Sequence, residues 1–162
     1  MRDTLFQLGS VLAALAFSTS YAATDAAQDF VNRAAVSAQF EIAVADLAKQ
    51  LGDDSSRSFA ARVRREHEES RRELVRIAGE EKLVLPQQLD ARHAAALESL
   101  RGLRGTEFDR AFARTEVESQ REALALFEGE ATDDRNPELR AFADRNLPAL
   151  RDHLTRAEAL YQ

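Results

Sequence analysis

The sequence predicts an all-α fold, a four-helix bundle with a short extra helix in the crossover between helices two and three. Composition is the first indication: the chain is 44% hydrophobic, alanine and leucine supply much of that share, and the β-branched residues valine and isoleucine are sparse. Periodicity is the second, because four long stretches repeat apolar residues every three or four positions. Breaks rich in glycine, aspartate or proline separate these stretches.

Length and charge limit the classes of function. With 162 residues the chain can form one domain with a single core. The net charge is −6, and glutamates interleave with the many arginines, so no surface concentrates positive charge. This pattern argues against a nucleic-acid partner.

The N-terminus has the features of a secretory signal peptide over residues 1–22. Arg2 gives a positive start, an apolar run extends from Leu5 to Phe17, and small residues at Ser20 and Ala22 suit cleavage after Ala22. The run is shorter than the ~20 residues that span a bilayer. We therefore expect a periplasmic or secreted protein whose domain is residues 23–162, with no permanent membrane span after cleavage. Without cysteine the chain forms no disulfide.

The first helix is predicted to begin at Thr24 or Asp25 and to reach Leu51, before the break at residues 52–54. A carboxylate inside an apolar stripe is costly to bury, which makes Glu41 the unusual member of this helix. The predicted inward stripe comprises Val31, Ala34, Ala38, Glu41, Ile42, Ala45 and Ala48.

The second helix is predicted from Ser56 to Ala78, with Asp54 or Ser55 as its N-cap and Gly79 at its end. Charged residues fill the positions between the members of its apolar stripe, as in an amphipathic helix of a bundle. The exception on the stripe is an ionisable ring, His67. The stripe comprises Phe59, Val63, His67, Ser70, Leu74 and Ile77.

A short helix is predicted from Asp90 to Leu103, inside the connection between the second and third long helices. A crossover of this length can return the chain to the other end of the bundle, as in ferritin-like folds. His93 lies near the apolar face of this helix. With no acidic or second histidine partner at ligand spacing, we interpret it as a surface residue.

The third long helix is predicted to open at Gly105 and Thr106, with Asp109 completing a near capping box. Its predicted inner row is Phe108, Phe112, Thr115, Ser119, Ala123 and Leu126, with Glu116, Gln120, Leu124 and Phe127 on the flank.

The last helix is predicted to begin with Asn136 as N-cap and Pro137 in the first turn, and to kink near Asp144 because Pro148 lacks a donor. Its face comprises Leu139, Phe142, Asn146, Leu150, His153, Ala157 and Leu160.

Each long helix carries one polar residue near its midpoint, so these residues can share one layer whichever way the helices run. They are Glu41, His67, Gln120 and His153. Bundles build metal sites in such layers from carboxylates and imidazoles. The candidate metal ligands are Glu41, His67 and His153, and iron, copper(II) or zinc suits this donor set. Alternatively, each histidine only forms a hydrogen bond with a carboxylate such as Glu66, Glu116 or Asp152.

The sequence contains no catalytic constellation. A di-iron oxidase needs a glutamate three residues before each histidine, and Arg64 and Leu150 occupy those positions. Nucleophile triads, glycine-rich phosphate loops and the zinc-protease helix motif are also missing. We therefore do not predict an enzyme.

The chain resembles the domain of unknown function 4142 family over about residues 30–160. The order and spacing of several short pieces carry the resemblance: Phe30 to Ala35, Phe59-Ala60 with Glu66-His67, Leu85-Pro86, Phe108-Asp109 with Phe127-Glu128, and Leu147 to Leu150 followed by His153-Leu154. The resemblance implies an exported bacterial protein with a ferritin-like bundle, and it implies no settled activity.

Two positions depart from the family pattern. The family commonly has aspartate where this chain has Glu66, and histidine where it has Gln120. If the inward histidines of the family bind metal, this member lacks one ligand, since an amide is a poor ligand for soft or borderline metals.

Two functions from different classes remain open. The first is a metal-binding bundle of the cell envelope, for storage, buffering or sensing. The second is a non-catalytic structural or interaction module of the envelope or its stress response, acting as a homodimer or with an envelope protein partner. Its contact surface would be the arginine-rich second helix or an apolar groove beside Pro148.

Overall fold

Five helices make up the described part of the chain, and four of them are long. The computed structural model describes the backbone of residues 10–133 and 135–162, and the side chains of residues 24–133 and 135–162. The helices are α1 (Ser10–Leu51), α2 (Asp54–Glu80), α3 (Ala91–Arg101), α4 (Gly105–Ala131) and α5 (Pro137–Tyr161). The predicted all-α class is therefore confirmed. Among the described residues, no helix is both long and apolar enough to cross a membrane.

The direction of each long helix follows from two apolar clusters at opposite ends of the bundle. One cluster surrounds Phe30, Phe127 and Phe142. The other surrounds Phe59, Phe108 and Phe112 and includes the C-terminal half of α1. The N-terminal parts of α2 and α4 both lie in this second cluster, so these two helices run parallel.

Parallel helices require the chain to return along the bundle between them. The segment containing α3 makes this crossover, and α3 packs on α1 and α4, where Leu97 and Leu100 join the second cluster. The helices are neighbours in the order α1, α2, α5, α4, and back to α1. The predicted bundle with a helix in its crossover is confirmed.

The start of α1 differs from the prediction. The helix is continuous from Ser10, whereas we predicted a start at Thr24 or Asp25. No glycine or proline falls between Ser10 and Leu51, so nothing in the sequence interrupts the helix. The predicted signal peptide lies partly outside the described residues, because residues 1–9 and the side chains of residues 10–22 are not described.

The ends of α2 also differ from the prediction. Asp53 is the N-cap, and its side chain accepts a hydrogen bond from the Ser56 backbone N–H at 2.7 Å. At the other end Gly79 lies inside the last turn and Lys82 adopts the left-handed conformation with φ 58°. The Leu83 N–H then donates to the Ala78 carbonyl at 2.8 Å, which satisfies a terminal carbonyl of the helix.

The predicted capping box of α4 is wrong. Arg104 is the N-cap and makes no side-chain capping bond. Asp109 instead accepts hydrogen bonds from the Asp53 backbone N–H at 2.9 Å and the Ser56 hydroxyl at 2.8 Å. This carboxylate therefore serves the N-terminus of α2, where the helix dipole favours negative charge.

The last helix begins as predicted and continues through Pro148. The Asn136 side chain caps it by accepting from the Leu139 N–H at 3.0 Å, and Pro137 is in the first turn. The kink near Asp144 stays a prediction.

Candidate functional site

A layer of buried polar side chains separates the two apolar clusters. Each member is at most 7% exposed, and each long helix contributes at least one. On α2 and α5, each histidine lies between the residues that belong to one cluster and those that belong to the other. On α1 and α4, the buried polar residues lie close to the point where the helix passes from one cluster to the other. We call these residues the polar layer: Glu41, His67, Glu116, Gln120 and His153.

The α2 and α5 side of the layer consists of two neighbouring histidines. The ring centroids of His67 and His153 are 5.5 Å apart, with 34° between the ring planes. Burial, and then the charge of His153, lower the pKa of His67 to about 3. Burial also lowers the pKa of His153, against the opposing effect of a hydrogen bond to Glu66. Both rings are therefore neutral at pH 7.

Glu66 fixes the protonation pattern of His153. Its Oε2 lies 2.8 Å from His153 Nε2, and its Oε1 lies 3.1 Å from Nε of Arg62. Because a carboxylate only accepts hydrogen bonds, Nε2 of His153 carries the proton and Nδ1 carries the lone pair. The ion pair of Glu66 and Arg62 connects the buried His153 ring to the surface, where Arg62 also contacts Asp152 at 3.2 Å.

A small cavity of about 20 Å³ lies against both rings. Its other walls include Glu66, Ser70 and Asn146. His67 Nε2 and His153 Nδ1 are buried and make no hydrogen bond within the described part of the chain. The cavity has room for about one water molecule or ion beside these two nitrogens.

The α1 and α4 side of the layer is a pair of carboxyl groups. The Ser119 hydroxyl donates to Glu41 Oε1. Burial raises the pKa of Glu41, and the Ser119, Glu116 and Gln120 side chains partly oppose this. Burial, and then the charge of Glu41, raise the pKa of Glu116 well above its usual value. Both carboxyls therefore hold their protons to higher pH than an exposed glutamate does.

Glu41 and Glu116 have few hydrogen-bond partners when both are ionised, because an ionised carboxylate cannot donate a hydrogen bond to the other. Glu41 Oε2 and both Glu116 oxygens then have no partner among the described residues. The amide of Gln120 acts on both carboxyls and lowers their pKa values, yet its oxygen and nitrogen make no hydrogen bond of ordinary geometry. Buried polar atoms of this kind call for a proton, a water or an ion.

The structure brings two of the three predicted metal ligands together. His67 and His153 are neighbours, whereas Glu41 contacts Ser119 and the α4 side chains and is not among the residues that line the cavity. In residues 24–133 and 135–162, no group of three or more histidine, aspartate or glutamate side chains is arranged to hold a metal ion. Binding by the full set of Glu41, His67 and His153 stays a prediction.

Sequence reasoning placed Glu116 on the flank of its helix and Thr115 and Ser119 on the inner row. In the structure Glu116 and Gln120 are fully buried, and Thr115 and Ser119 are only partly buried. The sequence did contain a pattern that predicts this burial: Phe108, Phe112, Glu116 and Gln120 follow one another at steps of four residues, so they share one face of the helix.

His93 is less exposed than we predicted for a surface residue, with 14% of its side chain accessible. Its Nδ1 lies 2.8 Å from Oδ2 of Asp90, three residues earlier, and its ring packs edge-on against Phe40. Asp90 is the acidic partner that the sequence reading missed. His93 lies on α3, outside the polar layer, and lines an open pocket with Ser119.

Comparisons with known proteins agree with this architecture. The chain is similar to a crystal structure of a DUF305 fragment from Deinococcus radiodurans, with a TM-score of 0.73, 17% identity, and 83% of this chain and 93% of that chain covered. At this identity the similarity shows the fold alone. No curated protein matches the sequence. The model of a family described as domain of unknown function (DUF4142) matches residues 12–160. The chain therefore belongs to the DUF4142 family.

Proposed function

We propose that this protein binds a transition-metal ion between His67 and His153, for storage, buffering or sensing in the cell envelope. One observation carries the proposal. Two imidazole nitrogens, His67 Nε2 and His153 Nδ1, are buried without hydrogen-bond partners in the described part of the chain, and the two histidines line the same small cavity. Leaving two such nitrogens unpaired costs free energy, which a bound ion would recover.

The chemistry of the donors fits a metal ion. Both rings are held neutral by burial, and only a neutral ring offers a lone pair to a metal. Glu66 accepts a hydrogen bond from the far nitrogen of His153, which is the arrangement that supports histidine ligands in many metal sites. Imidazole nitrogens suit iron, copper(II) and zinc.

We propose export as well, on the basis of the predicted signal peptide. The test is N-terminal sequencing of the chain recovered from the periplasm of its host. We expect residues 1–22 to be missing and Ala23 to be the first residue. Recovery of the periplasmic form with Met1 in place would contradict this expectation.

Elemental analysis and titration of the untagged protein test metal binding. We expect iron, copper or zinc in stoichiometric amount after purification from the periplasm. The same metal should raise the stability of the wild type by about 2.7 kcal/mol at a hundredfold excess over Kd. His67→Ala and His153→Ala should each abolish this gain, since each removes a ligand.

His93→Ala is the matched control, because it removes the third histidine of the chain from outside the polar layer. It should leave metal stabilisation unchanged. Equal melting temperatures of the wild type in chelator and in excess iron, copper and zinc would rule out the proposal. So would full metal stabilisation of both the His67→Ala and the His153→Ala variants.

A further inference from the structure

We propose that the carboxyl side of the polar layer is a second cation site, which takes a hard divalent cation such as Mg²⁺ or Mn²⁺. Its donors are oxygen atoms of Glu41, Glu116 and Gln120, on α1 and α4. This inference does not depend on metal binding by the histidines, because the two sites have different donors and lie on different helix pairs.

The donor atoms match the preference of hard cations for oxygen. Glu41 Oε2, both Glu116 oxygens and the Gln120 amide oxygen are buried and make no hydrogen bond within the described residues. Carboxylate and amide oxygens are the ligands that Mg²⁺, Mn²⁺ and Ca²⁺ favour.

The charge of the pair also points to a cation. Two carboxylates in a protein interior are strongly unfavourable unless a positive charge accompanies them. Within the described part of the chain, no basic side chain stabilises either Glu41 or Glu116 in its ionised form. A divalent cation would neutralise both carboxylates at once.

Gln120 is the independent observation that distinguishes this site from an acidic cluster. It is fully buried and acts on both carboxyls, yet neither polar atom of its amide makes a hydrogen bond of ordinary geometry among the described residues. A buried amide without a well-formed hydrogen bond costs free energy. Coordination through its oxygen would recover part of that cost.

An open pocket lies beside the Glu41 end of this site. The pocket has a volume of about 280 Å³ and lies between α1, α3 and α4. Ser119 lines it and donates its hydroxyl to Glu41, so Glu41 lies one side chain away from the pocket. The acidic side chains of the lining, Asp90 and Glu122, are balanced by Arg33 and Arg92, and Arg92 contacts Glu122 at 2.6 and 2.8 Å.

Titration with Mn²⁺, followed by the electron paramagnetic resonance signal of the free ion, tests the site. We expect the wild type to bind about one Mn²⁺ per chain and Mg²⁺ to compete. Glu116→Gln keeps the side-chain volume and removes one anionic ligand. It should weaken Mn²⁺ binding by at least about tenfold, the minimum typical of changes around a metal site.

Glu122→Gln is the matched control at the pocket entrance and should leave the affinity unchanged, as should His67→Ala on the opposite side of the layer. If circular dichroism shows that Glu116→Gln does not fold, Glu41→Gln provides the same test. Failure of the wild type to bind Mn²⁺ or Mg²⁺ would overturn the inference and assign the pair a shared proton instead. Equal Mn²⁺ affinity of the wild type and the glutamine variant would overturn it too.

Discussion

The two sides of the polar layer respond to burial in opposite directions. Between α2 and α5, burial lowers the pKa values of His67 and His153. Between α1 and α4, burial raises the pKa values of Glu41 and Glu116. In both cases the protein interior disfavours the charged form, so it favours the neutral ring of a base and the protonated carboxyl of an acid. Burial therefore acts to reduce the charge of the layer on both sides.

The two sides also differ in their connection to the surface. His153 is linked through Glu66 to the arginines of α2, and a cavity adjoins both rings. Among the described residues, Ser119 and Gln120 are the polar side chains that act on the carboxyl pair. The histidine side is therefore supported by an ion-pair network, whereas the carboxyl side depends on a proton or a cation. Substitutions on the two sides should have effects of opposite sign.

The largest effect is expected from His153→Ala. The ring is 1% exposed, packs against His67 and edge-on against Phe59, and bonds Glu66. Its removal leaves a cavity and takes away the hydrogen bond of Glu66 Oε2, so we expect a loss of about 3 kcal/mol in the free energy of unfolding. Urea denaturation at pH 7 measures it. A loss below 0.5 kcal/mol, the size typical of surface changes, would contradict the buried position of this ring.

Glu116→Gln should instead stabilise the metal-free protein, by on the order of 2 kcal/mol at pH 8. The unfolded chain releases this proton near pH 4.5, and the folded chain holds it to higher pH, so the wild type loses stability as pH rises above 4.5. Glutamine has no proton to release. The gain in the free energy of unfolding should vanish at pH 4, where Glu116 is protonated in both the folded and the unfolded chain. A gain that does not depend on pH would contradict the raised pKa of Glu116 as its cause.

The pH dependence of stability should separate the two sides further. The unfolded chain protonates His67 near pH 6.5 and the folded chain only near pH 3. Between these values the unfolded state binds more protons, so stability falls as pH falls, by up to about 1.4 kcal/mol per pH unit. Below pH 3 this contribution is fully lost.

His67→Gln should weaken that acid limb, to which His153 also contributes, and leave the alkaline limb from the carboxyl pair. Glu116→Gln should weaken the alkaline limb and leave the acid one. Denaturation midpoints between pH 4 and 8 for the wild type and both variants measure this. Parallel curves for all three proteins would show that the layer does not control the pH dependence.

The sequence predicted the fold because its main signals are local. The stripes of Phe59, Val63 and Leu74 on α2, and of Phe142, Leu150 and His153 on α5, face the core as expected. The length of the crossover predicted that the chain returns to the far end of the bundle before α4. These features depend on helical periodicity and on chain length, which are both readable from one sequence.

The partners of the site residues were harder to predict. Spacing placed Glu41 and the two histidines at similar depth, but depth does not tell which neighbouring helix a side chain contacts. Glu41 contacts α4, and the histidines contact each other across α2 and α5. The role of Asp109 at the start of α2 depends on the same long-range packing, which no local capping pattern reveals.

Nitrogen NMR of the three histidine side chains, with and without Zn²⁺, tests the central claim most directly. In the metal-free protein at pH 7 we expect His153 to carry its proton on Nε2 and to have an unprotonated Nδ1. We expect the His67 ring to stay neutral well below pH 6.5. Zn²⁺ should shift the resonances of His67 Nε2 and His153 Nδ1 together and leave those of His93 unchanged. Zn²⁺ shifts at His93 with none at His67 and His153 would contradict the claim that the bundle core binds the metal.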